Sequence, residues 1–292
     1  MLGEIRGEVR FKESLSYHTS LRIGGIADIF VAPQTVDDIR HALGFAEREQ
    51  LPVVVLGGGN SVVVTRAGIR GVVIKLDGCL SRAQFHGEEA VAGGGMPLSA
   101  LIREAAAQNL GGLECLAGIP ATVGGALATN AGTPEGRIGD LISAAYFLYP
   151  DGTLGELKRD TTASTYWTYD LPEGAVVIGC RLQLDRRPLR EIQRDLQQRL
   201  RVKKAAQPLA LASAGPIWKN PGSECISRLI EKSGLRGRRI GGAEISEKDT
   251  NFIVNRGPAS VEDVLNLMQL TKDRVHAKFG VILNAAIRVL GE

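Results

Sequence analysis

The stretch Gly111-Gly112-Leu113-Glu114-Cys115-Leu116-Ala117-Gly118-Ile119-Pro120-Ala121-Thr122-Val123-Gly124-Gly125-Ala126 constrains this chain more than any other. It holds five glycines, one proline and almost no charge. Solvent-exposed loops are rarely so apolar, and glycine lets a backbone approach another group closely. The backbone here is therefore expected to pack against a flat ligand or another strand. Glycines also cluster at Gly57-Gly58-Gly59, Gly93-Gly94-Gly95 and Gly241-Gly242, each in or beside an apolar segment. The chain has 36 glycines among 292 residues but only 12 prolines, a balance that excludes collagen-like and low-complexity organisation.

At 292 residues the chain is long enough for two or three compact units. The first segment reads strand, helix, strand. Ala27 to Val31 is apolar, and Thr35 caps a helix to Gln50 with Val36, Ile39, Leu43 and Ala46 on one face. Pro52 to Leu56 is an apolar strand running straight into the triple glycine, and Ser61–Val64 and Gly71–Ile74 follow as strands. A strand at Glu89–Ala92, a helix at Leu98–Ala107, a hairpin about Pro150-Asp151-Gly152 and a strand at Ala175–Ile178 make up the second segment. Texture changes at Pro188. A charged helix from Leu189 to Lys204 precedes a helix at Ser223–Ser233 and a strand at Asn251–Asn255. A helix capped by Ser260 then runs to Phe279, and a last strand takes Val281 to Leu290.

Composition excludes several functions. The net charge is +3 and dispersed, so no nucleic-acid partner is expected, and the basic run Arg199 to Lys204 reads as a solvated helix end. No apolar run is long enough to span a membrane, and the N-terminus lacks the apolar stretch of a signal peptide. Cys79, Cys115, Cys180 and Cys225 have no paired spacing and read as buried, reduced thiols of a cytoplasmic protein. The four histidines have no ligand spacing and no recognisable partners, so no metal site is expected.

Val53 to Val64 is strand, three glycines, a polar pair, strand. Amides freed in such a turn can face phosphate oxygens; the bland alternative is a tight turn between strands. It is not the dinucleotide fingerprint, because no helix follows the glycines. With the run Gly118 to Gly132 as a second candidate for backbone contact, the pair points to a nucleotide or flavin. Lys219-Asn220 before Pro221 is either an anion site or a surface lysine beside a turn. Trp167 and Trp218 read as core or pocket wall.

Several of these segments, in order, resemble the UDP-N-acetylenolpyruvoylglucosamine reductases, the MurB flavoenzymes of cell-wall precursor synthesis. The motifs are His18-Thr19-Ser20-Leu21-Arg22-Ile23-Gly24-Gly25-Ile26-Ala27-Asp28, Leu56-Gly57-Gly58-Gly59-Asn60-Ser61, Gly112 to Ala126 and Asn130-Ala131-Gly132. The last third adds Ser213-Ala214-Gly215, Lys219-Asn220-Pro221, Gly241-Gly242-Ala243 and Asn251-Phe252-Ile253-Val254-Asn255. The spacing is similar to the compact subtype. The resemblance implies an α+β chain. A two-part FAD-binding region of the vanillyl-alcohol-oxidase/MurB type (residues 1–76 and 77–187) would precede a MurB C-terminal substrate domain (188–292). It implies FAD, NADPH as hydride source and a UDP-sugar substrate. The flavin positions it assigns are Gly57, Gly58, Gly59, Asn60, Ser61, Ile119, Pro120, Thr122, Gly124, Gly125, Asn130, Ala131 and Gly132. Lys204, Lys219, Asn220 and Arg228 fall where the family contacts the nucleotide-sugar. Asn60-Ser61 inverts the usual Ser-Asn pair, and Asp249 stands where a histidine is common.

Three family positions depart from the pattern. The serine or cysteine proton donor is Pro216, which has no hydroxyl, thiol or amide hydrogen. The arginine that follows a tyrosine is Trp167, after Tyr166. The glutamate near the C-terminus is Ala286, and the family's other glutamate is Asn284. A missing general acid costs typically ~10²- to 10⁴-fold, and a lost electrostatic stabiliser ~10²- to 10³-fold. Such groups act as a unit, so the factors are not multiplied. The expectation is a degenerate member that keeps FAD or UDP-sugar binding and serves a regulatory or scaffolding role, with a cell-wall synthesis protein as partner. The alternatives are an active reductase with a relocated proton donor, for which Ser213 and Cys225 are out of register, and a flavoprotein with another acceptor.

Overall fold

The computed structural model describes residues 2–76, 78, 80–159, 172–222 and 224–291. Contacts divide the chain into two compact units. Unit 1 comprises Met1–Phe11, Ile29–Gly58 and Gly71–Lys203; unit 2 comprises Lys12–Asp28, Gly59–Arg70 and Lys204–Glu292.

A four-stranded sheet takes the order Glu8–Ser14, Ile26–Ala32, Ile69–Lys75, Val53–Leu56, the last two parallel. Helix α1 (Val36–Arg48) covers it, burying Ile39, Ala42, Leu43 and Ala46 among Ile29, Val31, Val72 and Ile74. Its start follows from a capping box: the Thr35 hydroxyl accepts the Asp38 amide at 3.2 Å, and the Asp38 carboxylate accepts the Thr35 amide at 3.3 Å. Asp38 is buried and also accepts the amides of Gln34 (2.8 Å), Arg6 (2.9 Å) and Gly7 (3.2 Å). One carboxylate thus ties the N-terminal segment to the helix start.

The second sheet, within unit 1, is antiparallel, in the order Leu154–Lys158, Ile142–Leu148, Val176–Gln183, Glu89–Gly93, Ala83–His86. Helix α2 (Leu98–Ala107) packs Leu98, Leu101 and Ile102 into its core. The glycine-rich stretch is more regular than expected. Leu113–Leu116 forms a 3-10 turn, and helix α3 spans Val123–Thr129 with Thr122 as its cap. Of the two partners expected for this backbone, Gly124 meets the strand end. Its amide donates to the Gly94 carbonyl at 2.7 Å, and the Gly94 amide to the Ile178 carbonyl at 2.8 Å. A Cβ on Gly124 would stand 3.0 Å from the Gly94 carbonyl oxygen and 3.3 Å from that of Val177, so α3 sits this low because its backbone is bare there. The turn Gly93–Gly95 is therefore also a packing surface.

A four-residue helix, α4 (Ile138–Leu141), follows, and α5 (Leu189–Ala206) is long but buries only Ile192. Polar contacts hold α5 instead. Arg187, just before it, pairs with Glu114 (2.8 Å) and Asp195 (2.7 Å), Arg199 pairs with Glu135 (3.5 Å), and the Lys203 amine reaches the Ala117 carbonyl (3.4 Å). The run from Arg199 is thus a contact face as well as a solvated helix end. Burial pulls the Lys203 pKa down.

Unit 2 carries an antiparallel sheet in the order Ala212–Pro216, Phe252–Asn255, Ala243–Ile245, Arg239–Ile240. Helices α6 (Ile226–Lys232) and α7 (Val261–Phe279) pack on it through Ile226, Leu229, Ile230, Val264, Leu267 and Val275. Ser260 and Asp263 form the expected capping box of α7, and Gly280, at φ +69°, ends it. Two readings need correction. The final strand is only Arg288–Leu290, paired in parallel with Val62–Val64; Val281 to Asn284 lies outside it because this stretch follows the segment around Trp218 instead. The helix expected from Ser223 begins at Ile226, where the Asn220 side chain accepts the first amide; Ser223 itself lies outside the described residues.

Asp38 gives a test of the first packing layer. Burial alone would raise its pKa, and its amide donors more than offset this, holding the carboxyl below its ordinary value. The contribution is complete above the unfolded-state value of ~3.9 and is lost as pH falls through the lower folded-state value. Asp38→Asn is expected to cost about 1–3 kcal/mol at pH 7, the gap from the parent narrowing as pH drops from about 5 toward 3. Denaturant titrations across that range read it, and a gap independent of pH would refute the carboxylate's role.

Candidate functional site

The flavin candidates begin where Val53–Leu56 ends. Gly57 and Gly58 belong to unit 1. A Cβ on Gly57 would lie 2.4 Å from the Thr122 hydroxyl, so glycine there lets the loop rest on the cap of α3. The Lys75 amine donates to the Gly57 carbonyl at 2.5 Å. Among the described residues of unit 1, no chain acceptor takes the amides of Gly57 or Gly58; Gly59, Asn60 and Ser61 belong to unit 2. Unspent amides on a glycine turn beside a buried ammonium are a donor set that suits a diphosphate.

The amides of the second candidate run are largely spent. Val123 donates to the Met96 carbonyl, Gly124 to Gly94 and Gly125 to the Thr122 hydroxyl. Thr122 and Gly124 are buried, Pro120 is exposed, and Ile119, Gly125, Ala131 and Gly132 are half-buried. Asn130 sits at the far end of α3 in the left-handed region (φ +45°), its side chain accepting the Gly139 amide at 3.2 Å. Residues 119–132 can thus offer a ligand shape and apolar surface more than backbone donors.

The substrate candidates lie in unit 2. Strand Ala212–Pro216 is an edge strand, and its pairing slips between Ser213, opposite Val254, and Pro216, opposite Phe252. This bulge, with Gly215 at φ +78°, re-aims the residue that follows. An edge position beside a bulge also tolerates proline. Ile217 then donates to the Asn251 carbonyl at 2.8 Å. The Asn251 side chain reads both backbone groups of Trp218, accepting its amide and donating to its carbonyl, each at 2.9 Å. On the other side the Ala286 amide donates to the Ile217 carbonyl at 2.8 Å, and the Lys219 amide to the Asn284 carbonyl at 2.9 Å. Positions 216 and 286 are thus joined through one residue, and neither carries an ionisable or proton-donating group. Trp167 lies outside the described residues.

Lys219 and Arg228 are exposed, as is Lys204, which lends its carbonyl to the Lys248 amine (3.2 Å). The Asn220 carboxamide oxygen accepts the Ile226 amide at 3.1 Å, leaving the amide nitrogen to face a ligand. Asp249 accepts from the Ser227 hydroxyl (2.6 Å) and the Asn251 amide (3.0 Å), so the carboxylate there steadies the clamp on Trp218. Trp218 is buried, with the Lys272 ammonium 5.6 Å from its ring.

Three residues that matter here were not singled out from sequence. Lys75 and Asn251 are two. The third is Ser20, whose hydroxyl lies 2.7 Å from the Ser213 carbonyl oxygen and 3.1 Å from that of Gly59, while its amide donates to Gly59. The histidine motif also has a partner after all: His18 meets Glu13 at 2.8 Å. Cys115 and Cys180 are buried as expected, with burial raising both thiols, Cys180 to about 12. Cys225 is exposed, contrary to expectation, because it precedes α6 at the surface. Among the described residues no cluster could hold a metal ion, and no helix is long and apolar enough to cross a membrane.

Known proteins share this arrangement. A model of the UDP-N-acetylenolpyruvoylglucosamine reductase C-terminal domain matches residues 207–290, and one of an FAD binding domain matches residues 27–158. The chain is 38% identical over 288 residues to the UDP-N-acetylenolpyruvoylglucosamine reductase of Alkaliphilus oremlandii, covering 97% of this chain and 94% of that one. It is 39% identical to the enzyme of the same name from Geobacter sulfurreducens, with 99% and 96% covered. The crystal structure of UDP-N-acetylenolpyruvylglucosamine reductase (MurB) from Thermus caldophilus superposes with a TM-score of 0.82 at 35% identity, covering 98% of this chain and 99% of that one. The fold is accordingly α+β, an FAD-binding domain followed by a MurB C-terminal domain, and the chain belongs to the UDP-N-acetylenolpyruvoylglucosamine reductase family.

Proposed function

We propose that this chain is a MurB-like protein of peptidoglycan precursor metabolism that binds FAD and a UDP-sugar but has lost, or nearly lost, the reductase reaction. Its role is then regulatory or scaffolding, in the cytoplasm, beside other cell-wall synthesis proteins. The observation that carries the reading is the join between Pro216 and Ala286. The Ala286 amide is held by the carbonyl of Ile217, next to Pro216, which supports reading the two positions together as those of the family's proton donor and glutamate, here without their chemistry. Proline cannot donate a proton, and alanine cannot offset developing charge.

FAD, where bound, would supply hydride-transfer chemistry, with NADPH as the hydride source and an enolpyruvyl group as the family's acceptor. In this chain Gly57, Gly58 and the segment 119–132 would hold the cofactor, with Gly59, Asn60 and Ser61 continuing the loop. Lys219, Arg228, Lys204 and the amide of Asn220 would hold the nucleotide-sugar, whose phosphates suit lysine and arginine. The three-part division at 1–76, 77–187 and 188–292 goes with this reading.

The purified chain is expected to be yellow with bound flavin. Adding UDP-N-acetylglucosamine enolpyruvate is expected not to accelerate NADPH oxidation above its unstimulated rate. Restoring the family residues together (Pro216→Ser, Trp167→Arg, Ala286→Glu) is expected to raise substrate-dependent oxidation by ~10²-fold or more. Turnover by the unaltered chain at the pace of the Alkaliphilus oremlandii enzyme would overturn the non-catalytic reading. A colourless protein that takes up no added FAD would overturn the flavin reading.

Nucleotide-sugar binding has its own test. Lys219→Ala and Arg228→Ala are each expected to weaken UDP-N-acetylglucosamine binding by about tenfold, since a hydrogen bond to a charged group contributes ~1.5–3 kcal/mol. Titration calorimetry reads this directly, and unchanged affinity in both variants would refute the assignment.

A further inference from the structure

Lys75 ends the strand Ile69–Lys75 with its side chain almost wholly buried, 8% exposed. In the strand its side chain shares a face with that of Val73, which is buried. A lysine amine held this deep calls for hydrogen-bonding partners. The Lys75 amine meets the carbonyl of Gly57 at 2.5 Å, on the first residue of the glycine loop.

A trans peptide points its N–H opposite to its C=O. Holding the Gly57 carbonyl toward Lys75 therefore turns the Gly58 amide the other way. That amide has no acceptor among the described residues. The missing Cβ of Gly57 also lets the Thr122 hydroxyl close to what would be 2.4 Å. Lys75, Gly57 and Thr122 all lie within unit 1. An amide turned outward in this way is a donor for an anion with several oxygens.

We infer that Lys75 is a positioning residue for the diphosphate of a bound flavin dinucleotide, acting through the carbonyl of Gly57 and the orientation of the Gly58 amide. This rests on the FAD reading above. The lysine aligns the Gly58 amide before the cofactor arrives.

The test compares FAD with riboflavin, which has the same ring system and no phosphate, by flavin fluorescence quenching in the parent chain, Lys75→Met and Lys75→Arg. Thermal melting of the flavin-free proteins is recorded alongside. Lys75→Met is expected to weaken FAD binding at least tenfold, to change riboflavin binding less than about twofold, and to leave the flavin-free melting near the parent's. Lys75→Arg, which keeps the charge, is expected to recover most of the FAD affinity. Equal weakening of FAD and riboflavin overturns the proposal, as does undiminished FAD affinity in Lys75→Met. Failure of both variants to fold also overturns it, since the lysine would then be part of the core. A parent chain that binds riboflavin and FAD equally well overturns the proposal while leaving the flavin reading intact. A parent chain that binds neither overturns both.

Discussion

The carboxamide of Asn251 bonds the amide and the carbonyl of one residue, Trp218, and the candidate binding face of unit 2 extends outward from that clamp. The segment 216–219 runs past the end of its own strand and would otherwise have no regular partner on this side. Asn251 stands in for a strand at that point, and the backbone of residues 284–286 supplies a second on the other side. Lys219 and Asn220 follow directly on the backbone that this clamp holds, while Arg228 stands on α6 and Lys204 on α5. A buried amide satisfied at both ends is worth keeping, because either end left unpaired costs ~1–3 kcal/mol.

Unit 1 reaches its geometry by a different route. Gly94 and Gly124 bring α3 onto the carbonyls at the end of a sheet, and Gly57 brings a loop onto the helix cap. The polar groups of the α3 start are consumed by this packing, while those of the loop before it are not. Two glycine-rich segments of similar composition thus do opposite work: one closes backbone on backbone, and the other keeps its donors open.

Much of the fold was legible from sequence. The capping residues Thr35 and Ser260, the helix Leu98–Ala107 and the hairpin about Pro150–Gly152 follow from local patterns. Strand Glu8–Ser14 was not legible, because it buries no residue fully and its alternation is confined to Val9 and Phe11 among charged residues. Helix α3 was hidden because two of its seven residues are glycines, poor helix formers whose place is set by close packing. The site divides in the same way. Its glycine and Lys-Asn-Pro segments are contiguous and could be read. Ser20 and Asn251 lie within motifs that could be read, but their partners stand up to 193 positions away, and no local pattern gives either its role or marks Lys75 at all.

The edge strand that ends in Pro216 has one more consequence. Proline lacks an amide hydrogen, yet the bulge and the open edge leave no acceptor in the sheet waiting for one. No hydrogen bond of the sheet is therefore forfeited by proline at residue 216, and its exchange with a hydroxyl-bearing residue leaves the ladder intact.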